Sequence, residues 1–150
     1  MDDRTAHPPG AATRTNPRTD RIAAAVRELL GGRVSLALLF GSREKGTATP
    51  RSDLDIGVLV GPGARWTLDL AADLAVGLER RLGLEVDLVR LDEGTPLLRF
   101  EAARGTCLYE GSPGQYAGFV SRALKEYDEV RPILRRCGRA LMRSERPARR

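Results

Sequence analysis

Two short apolar runs, Val34-Ser35-Leu36-Ala37-Leu38-Leu39-Phe40 and Ile56-Gly57-Val58-Leu59-Val60, constrain this chain more than any other feature. The first is almost wholly apolar and bounded by glycines, the pattern of a strand buried within a sheet. The link between the runs is polar. Gly41-Ser42 closes the first, ten residues intervene, and Asp53-Leu54-Asp55 opens the second.

A glycine directly after a buried strand lets the backbone turn sharply and approach a ligand closely. Ser42 adds a hydroxyl and an amide at the expected first turn of a short helix, where phosphate oxygens are well received. Asp53 and Asp55 are two residues apart, so on a strand both carboxylates face one side of the sheet. Like charges that close, beside apolar strands, are costly unless a cation lies between them. Magnesium is the expected cation, because it prefers carboxylate oxygens and bridges to substrate phosphates. Gly57 continues the same face and is expected to leave room beside the acids. The segment thus reads as a site for a nucleoside triphosphate.

A two-metal arrangement requires a further carboxylate. Asp87 is the candidate, in Leu84-Glu85-Val86-Asp87-Leu88-Val89-Arg90. There Leu84, Val86 and Leu88 alternate toward a core and Asp87 projects the other way. Glu85 reads as a solvated strand end.

These residues resemble the DNA polymerase β-like nucleotidyltransferases, and in particular their minimal (MNT) members. The family pattern is Gly-Ser, ten residues, Asp-x-Asp, and another Asp on a later strand. Gly41, Ser42, Asp53, Asp55 and Asp87 stand at those positions. Gly46, Ser52 and the stretch from Thr95 to Glu110 extend the resemblance over roughly residues 20 to 110. Many minimal members carry Ala-Arg where this chain has Glu44-Lys45. The resemblance implies an α/β polymerase β-like fold with a mixed sheet and helices packed against it. It also implies transfer of AMP from ATP to a hydroxyl, with two Mg2+ ions held by Asp53, Asp55 and Asp87. Gly41, Ser42, Arg43 and Ser52 are the implied nucleotide contacts. Minimal members are typically antitoxins paired with a HEPN-domain toxin, so the implied partner is such a toxin and the implied acceptor one of its tyrosines.

At 150 residues there is little room for a second, acceptor-binding domain. Residues 1–19, rich in Pro, Thr and Arg without apolar periodicity, read as a disordered tail with no signal or transit peptide. Residues 20–138 read as the catalytic domain and 139–150 as a basic tail. Helices are expected from Arg21 to Leu30, capped by Asp20 or Thr19, and from Thr67 to Leu82. A third opens at Thr95-Pro96. A strand follows at Thr106–Tyr109, then a helix from Ser112-Pro113 to about Leu134, bent before Pro132. No apolar span suits a membrane, and the expected location is the cytoplasm.

The net charge of +5 is unevenly placed. Residues 131–150 hold eight arginines and one glutamate, +7, leaving −2 for residues 1–130. The core is therefore no basic nucleic-acid surface. The tail leaves nucleic acid or an acidic partner open as ligands, against the ordinary reading of a solvated end. No aromatics interleave those arginines, which weakens single-strand binding.

Gly41-Ser42 alone would be an ordinary turn, the aspartates alone a solvated strand end, and Asp87 alone an exposed edge residue. Joined at this spacing they point to nucleotide chemistry. Arg43 and Ser52 divide between ligand contact and loop support. Cys107 and Cys137 are too far apart for a local metal motif and read as reduced, packed thiols. His7 lies in the polar tail. Trp66 is expected to staple a helix start to the core, Tyr109 to pack in its strand, and Tyr116, Phe119, Leu124 and Tyr127 to form one buried helix face. Two further functions stay open: an antitoxin that neutralises by binding alone, and a small-molecule transferase of the aminoglycoside-modifying kind.

Overall fold

The computed structural model describes residues 16–41 and 53–144, with side chains as far as Arg139 in the last helix. Its elements are α1 (Pro17–Leu30), β1 (Val34–Phe40), β2 (Leu54–Val60), α2 (Leu68–Leu82), β3 (Val86–Arg90), α3 (Pro96–Ala103), β4 (Thr106–Glu110) and α4 (Gln115–Ser144). The sheet order is β3-β2-β1-β4. β1 runs antiparallel to β2 and β4, while β2 and β3 are parallel, with α2 as the crossover between them. The sheet is mixed, as expected.

Both central strands are buried on two faces, which explains their continuous apolar character. On one side Ala37, Leu39, Leu54, Ile56 and Val58 pack with Val26, Leu30, Leu74 and Leu78 of α1 and α2. On the other, Leu36, Leu38 and Phe40 pack with Leu91, Ala102, Phe119 and Ala123 beneath α3 and α4. Leu30, Leu36, Leu38, Leu54, Ile56, Leu78 and Leu91 are fully buried. Each such side chain contributes roughly 1.5 to 3 kcal/mol relative to exposure. Trp66 and Tyr109 lie half-buried against the first cluster, in their expected roles.

Local capping fixes the helix starts. Thr67 and Thr95 accept from the N–H groups of Leu70 and Leu98, each at 3.2 Å, and Pro96 follows Thr95 at the first helical position. α1 starts earlier than expected. Asn16 caps it by accepting from Arg18 N–H at 3.0 Å, and Pro17 occupies the first turn, so residues 17–19 are helix rather than tail. α4 also exceeds its expected end, running through Pro132 to Ser144. A proline costs the helix one donor there without ending it.

On α4 the buried face is Tyr116, Phe119, Val120 and Ala123. Tyr127 stacks on Phe100 of α3, with centroids 3.9 Å apart. Leu124, expected on that face, is 44% exposed. Both cysteines are free, but only Cys107 is partly covered; Cys137 is exposed. His7 and most of both tails lie outside the described residues.

Candidate active site

β1 ends by delivering Gly41, whose φ of +79° is a conformation that favours glycine. Its backbone passes so close to Asp55 that a side-chain carbon built on it would collide with Oδ2 of that residue. Antiparallel pairing sets Phe40 opposite Asp55, and parallel pairing sets Asp55 beside Asp87. Leu54 and Ile56 turn the other way into the core. The glycine turn and two of the expected acids are thus brought together at one end of the sheet.

The electrostatics follow from this placement. Partial burial, then the negative charge of Asp87, then that of Asp53, push the Asp55 carboxyl above the usual carboxylate range. Asp53 is exposed. Leu54 N–H donates to the Glu85 carbonyl at 2.8 Å, which draws Glu85 to the side of Asp53. A hydrogen bond with Asp53, and then its charge, raise the Glu85 carboxyl. Glu85 is therefore a fourth acid of the cluster. It is exposed, as expected, but its neighbour was not legible from its own strand, since it depends on how β2 and β3 align.

Among the described residues, no three His, Cys, Asp or Glu side chains stand close enough to enclose an ion as they are. The donor chemistry still fits a hard divalent cation. Asp55 and Asp87 are in register, and the repulsion from Asp87 and Asp53 that adds to burial in raising Asp55 is what a cation between them would reverse. Ser42, Arg43 and Ser52, together with Glu44, Lys45 and Gly46, lie outside the described residues. Gly57 does not leave open space beside the acids: Leu91 packs directly over it, so its missing side chain admits the core.

A half-open cavity of about 500 Å3 lies under α3 and α4, toward the far ends of β1 and β2. Ser35, Asp92, Arg99, Gln115, Arg122 and Glu126 supply its polar lining, and it shares no residue with the carboxylate cluster. The chemistry of the acids, and not cavity size, marks the candidate active site.

Known proteins fit this geometry. The family described as "Polymerase beta, Nucleotidyltransferase" matches residues 26–113, which include Gly41 and all four acids. No curated protein matches the sequence. Among solved structures, a toxin–antitoxin chain determined with AMP-PNP has a TM-score of 0.68 at 24% identity, covering 83% of this chain and 98% of that one. A chain of the MntA-HepT toxin–antitoxin has a TM-score of 0.64 at 21% identity, covering 85% and 99%. A chain from the tri-AMPylated Shewanella oneidensis HEPN toxin in complex with MNT antitoxin has 0.64 at 21%, covering 84% and 97%. These likenesses establish a shared fold along nearly the whole of the smaller chains. With the family match spanning more than half of its residues and the strand-borne acids in place, this chain belongs to the polymerase β nucleotidyltransferase family and is a nucleotidyltransferase.

Proposed function

We propose that this chain transfers AMP from ATP to a hydroxyl, a tyrosine in the favoured case, of a HEPN-domain toxin and thereby acts as its antitoxin in the cytoplasm. The observation that carries the reading is the register of Asp55 with Asp87 beside the Gly41 turn, within a family of nucleotidyltransferases. Support for the acceptor class comes from the fold shared with toxin–antitoxin chains, one of them in a complex whose toxin is AMPylated.

In the proposed reaction the acceptor oxygen attacks the α-phosphorus of ATP. One O–P bond forms, the bond to pyrophosphate breaks so that pyrophosphate leaves with its electron pair, and the hydroxyl proton passes to solvent water. Asp53, Asp55 and Asp87 would hold Mg2+, which supplies Lewis-acid assistance to the acceptor oxygen and charge neutralisation at the pyrophosphate. Asp87 would stand nearest the acceptor. Gly41 permits close approach of the phosphates, and Ser42, with Arg43 and Ser52, would contact them.

A second reading is neutralisation by binding alone, supported by the fold shared with toxin–antitoxin chains. The two readings separate in one experiment. The chain and a HEPN-domain toxin are incubated with ATP and Mg2+ and weighed by intact-protein mass spectrometry, with Asp53→Asn/Asp55→Asn in parallel. An AMP-sized gain on the toxin, absent with the variant, is expected. A stable, neutralised complex without any gain would replace transfer by binding.

A further inference from the structure

One face of α4 is apolar along its described length, yet the body of the protein covers only the first part of it. Tyr116, Phe119, Val120 and Ala123 are packed on the sheet and α3. At helical spacing the same face continues through Val130, Ile133, Leu134 and Cys137. There Ile133 is 59% exposed, Leu134 is 40% exposed, and every side chain from Arg131 to Arg139 faces solvent. The covered part of the protein's own core stripe thus runs directly into an uncovered part. This projecting segment also lies beyond the family match, which ends at residue 113.

An unpacked helix of that length is marginal in water, since isolated helices shorter than about 12 to 15 residues rarely hold. Its charges make matters worse. After Glu129 the helix contains arginines at 131, 135, 136, 139 and 143 and no acid. Arg131, Arg135 and Arg139 follow one another at a spacing of four, where like charges repel. Arg131 is paired with Asp128 at 3.7 Å, while Arg135, Arg136 and Arg139 have no carboxylate partner among the described residues.

We infer that the projecting half of α4 is a docking helix for a protein partner offering an apolar groove rimmed by carboxylates. Ile133 and Leu134 fill the groove, and Arg131 and Arg136, which border the stripe on either side, meet the acids. A second copy is a poor occupant, because pairing along the stripe would set these arginines against their own kind. A lipid surface is disfavoured too, since the described stripe carries no Trp or Phe to anchor it.

This inference rests on the reading that the chain acts on a protein partner, so a HEPN-domain toxin is the probe. Its affinity for the full chain is measured by titration calorimetry at low and physiological salt. Ile133→Glu/Leu134→Glu and, separately, Arg131→Glu/Arg136→Glu are each expected to weaken binding about tenfold or more. The arginine variant should also flatten the salt dependence, and both should keep the wild-type circular dichroism and ATP-induced thermal shift. Wild-type affinity in both variants overturns the docking helix and leaves AMP transfer standing. A complex that depends on α4 but never transfers AMP supports docking and removes the enzymatic reading. No complex with the wild-type chain overturns both. A dimer made monomeric by Ile133→Glu/Leu134→Glu, or vesicle binding through α4 in place of toxin binding, also overturns the inference.

Discussion

Asp55 of β2 stands in register with Asp87 of β3, so two carboxylates face the same side of a parallel strand pair. Beside a hydrophobic core this arrangement costs stability in the absence of a cation. Under the proposed function the cost has a use. Acids that repel one another in the free protein bind a divalent ion more tightly than acids already satisfied by hydrogen bonds.

Asp55→Asn should therefore stabilise the metal-free chain while abolishing transfer. The Asp55 carboxyl is held above the ordinary 3.8. Its charge then costs the fold nothing below that pH and is fully opposed above the raised value, so this part of the stability is lost as pH rises. Thermal melts should show the variant equal to wild type near pH 3.5 and higher by about 1 to 3 °C near pH 8. Added Mg2+ should raise the wild-type melting temperature and leave the variant's unmoved. A variant less stable than wild type at pH 8 contradicts this account.

Gly41→Ala tests the close approach of backbone to carboxylate. The positive φ costs about 1 to 2 kcal/mol for a residue with a side chain, and the new methyl displaces the Asp55 carboxylate. Urea denaturation should register a loss of that order, and transfer should fall by about 100-fold or more, since misplacing catalytic groups by an ångström has effects of that size. Wild-type turnover in a folded Gly41→Ala protein would show that the turn is not part of the site.

Arg99 should matter far more than Arg81, although both sit in ion pairs. Arg99 donates to Glu126 at 2.7 Å and also to the carbonyls of Gly94 at 2.6 Å and Leu91 at 3.3 Å, tying α3 and its entry loop to α4. Arg81 pairs with Glu28 on an open surface. Arg99→Met is expected to cost about 1 to 3 kcal/mol and Arg81→Met less than about 1. Equal losses in denaturant would count against the Arg99 hub.

The two thiols should react in a fixed order. Burial, and then the charge of Glu110, push the Cys107 thiol up, and the surrounding strand shields it, while Cys137 lies open on α4. Iodoacetamide at pH 8 should alkylate Cys137 first, with Cys107 lagging by at least about tenfold until the pH is raised further. Peptide mass spectrometry of a time course reads the order directly, and earlier modification of Cys107 would refute it.

The sequence by itself determined whatever depends on neighbours along the chain. The apolar runs at 34–40 and 56–60 declared the central strands, because strands buried on both faces need no polar alternation. Thr67 and Thr95-Pro96 declared helix starts, because a cap acts within three residues of itself. The Gly41 turn and the spacing of Asp53, Asp55 and Asp87 pointed to a nucleotidyltransferase, the family that the match over residues 26–113 shows. Tertiary structure decided the rest. The alignment of β2 with β3 put Asp87 beside Asp55 and drew Glu85 to Asp53, a relation that pairs residues more than thirty positions apart. Packing, and not ligand space, turned out to be the reason for Gly57, because Leu91 comes from beyond the end of β3. The expected helix already passed Pro132 to about Leu134, but α4 runs on to Ser144, through an arginine-rich stretch that reads locally as a solvated tail. Which half of that helix is covered follows from where the sheet ends, and no pattern within a uniformly amphipathic helix encodes it.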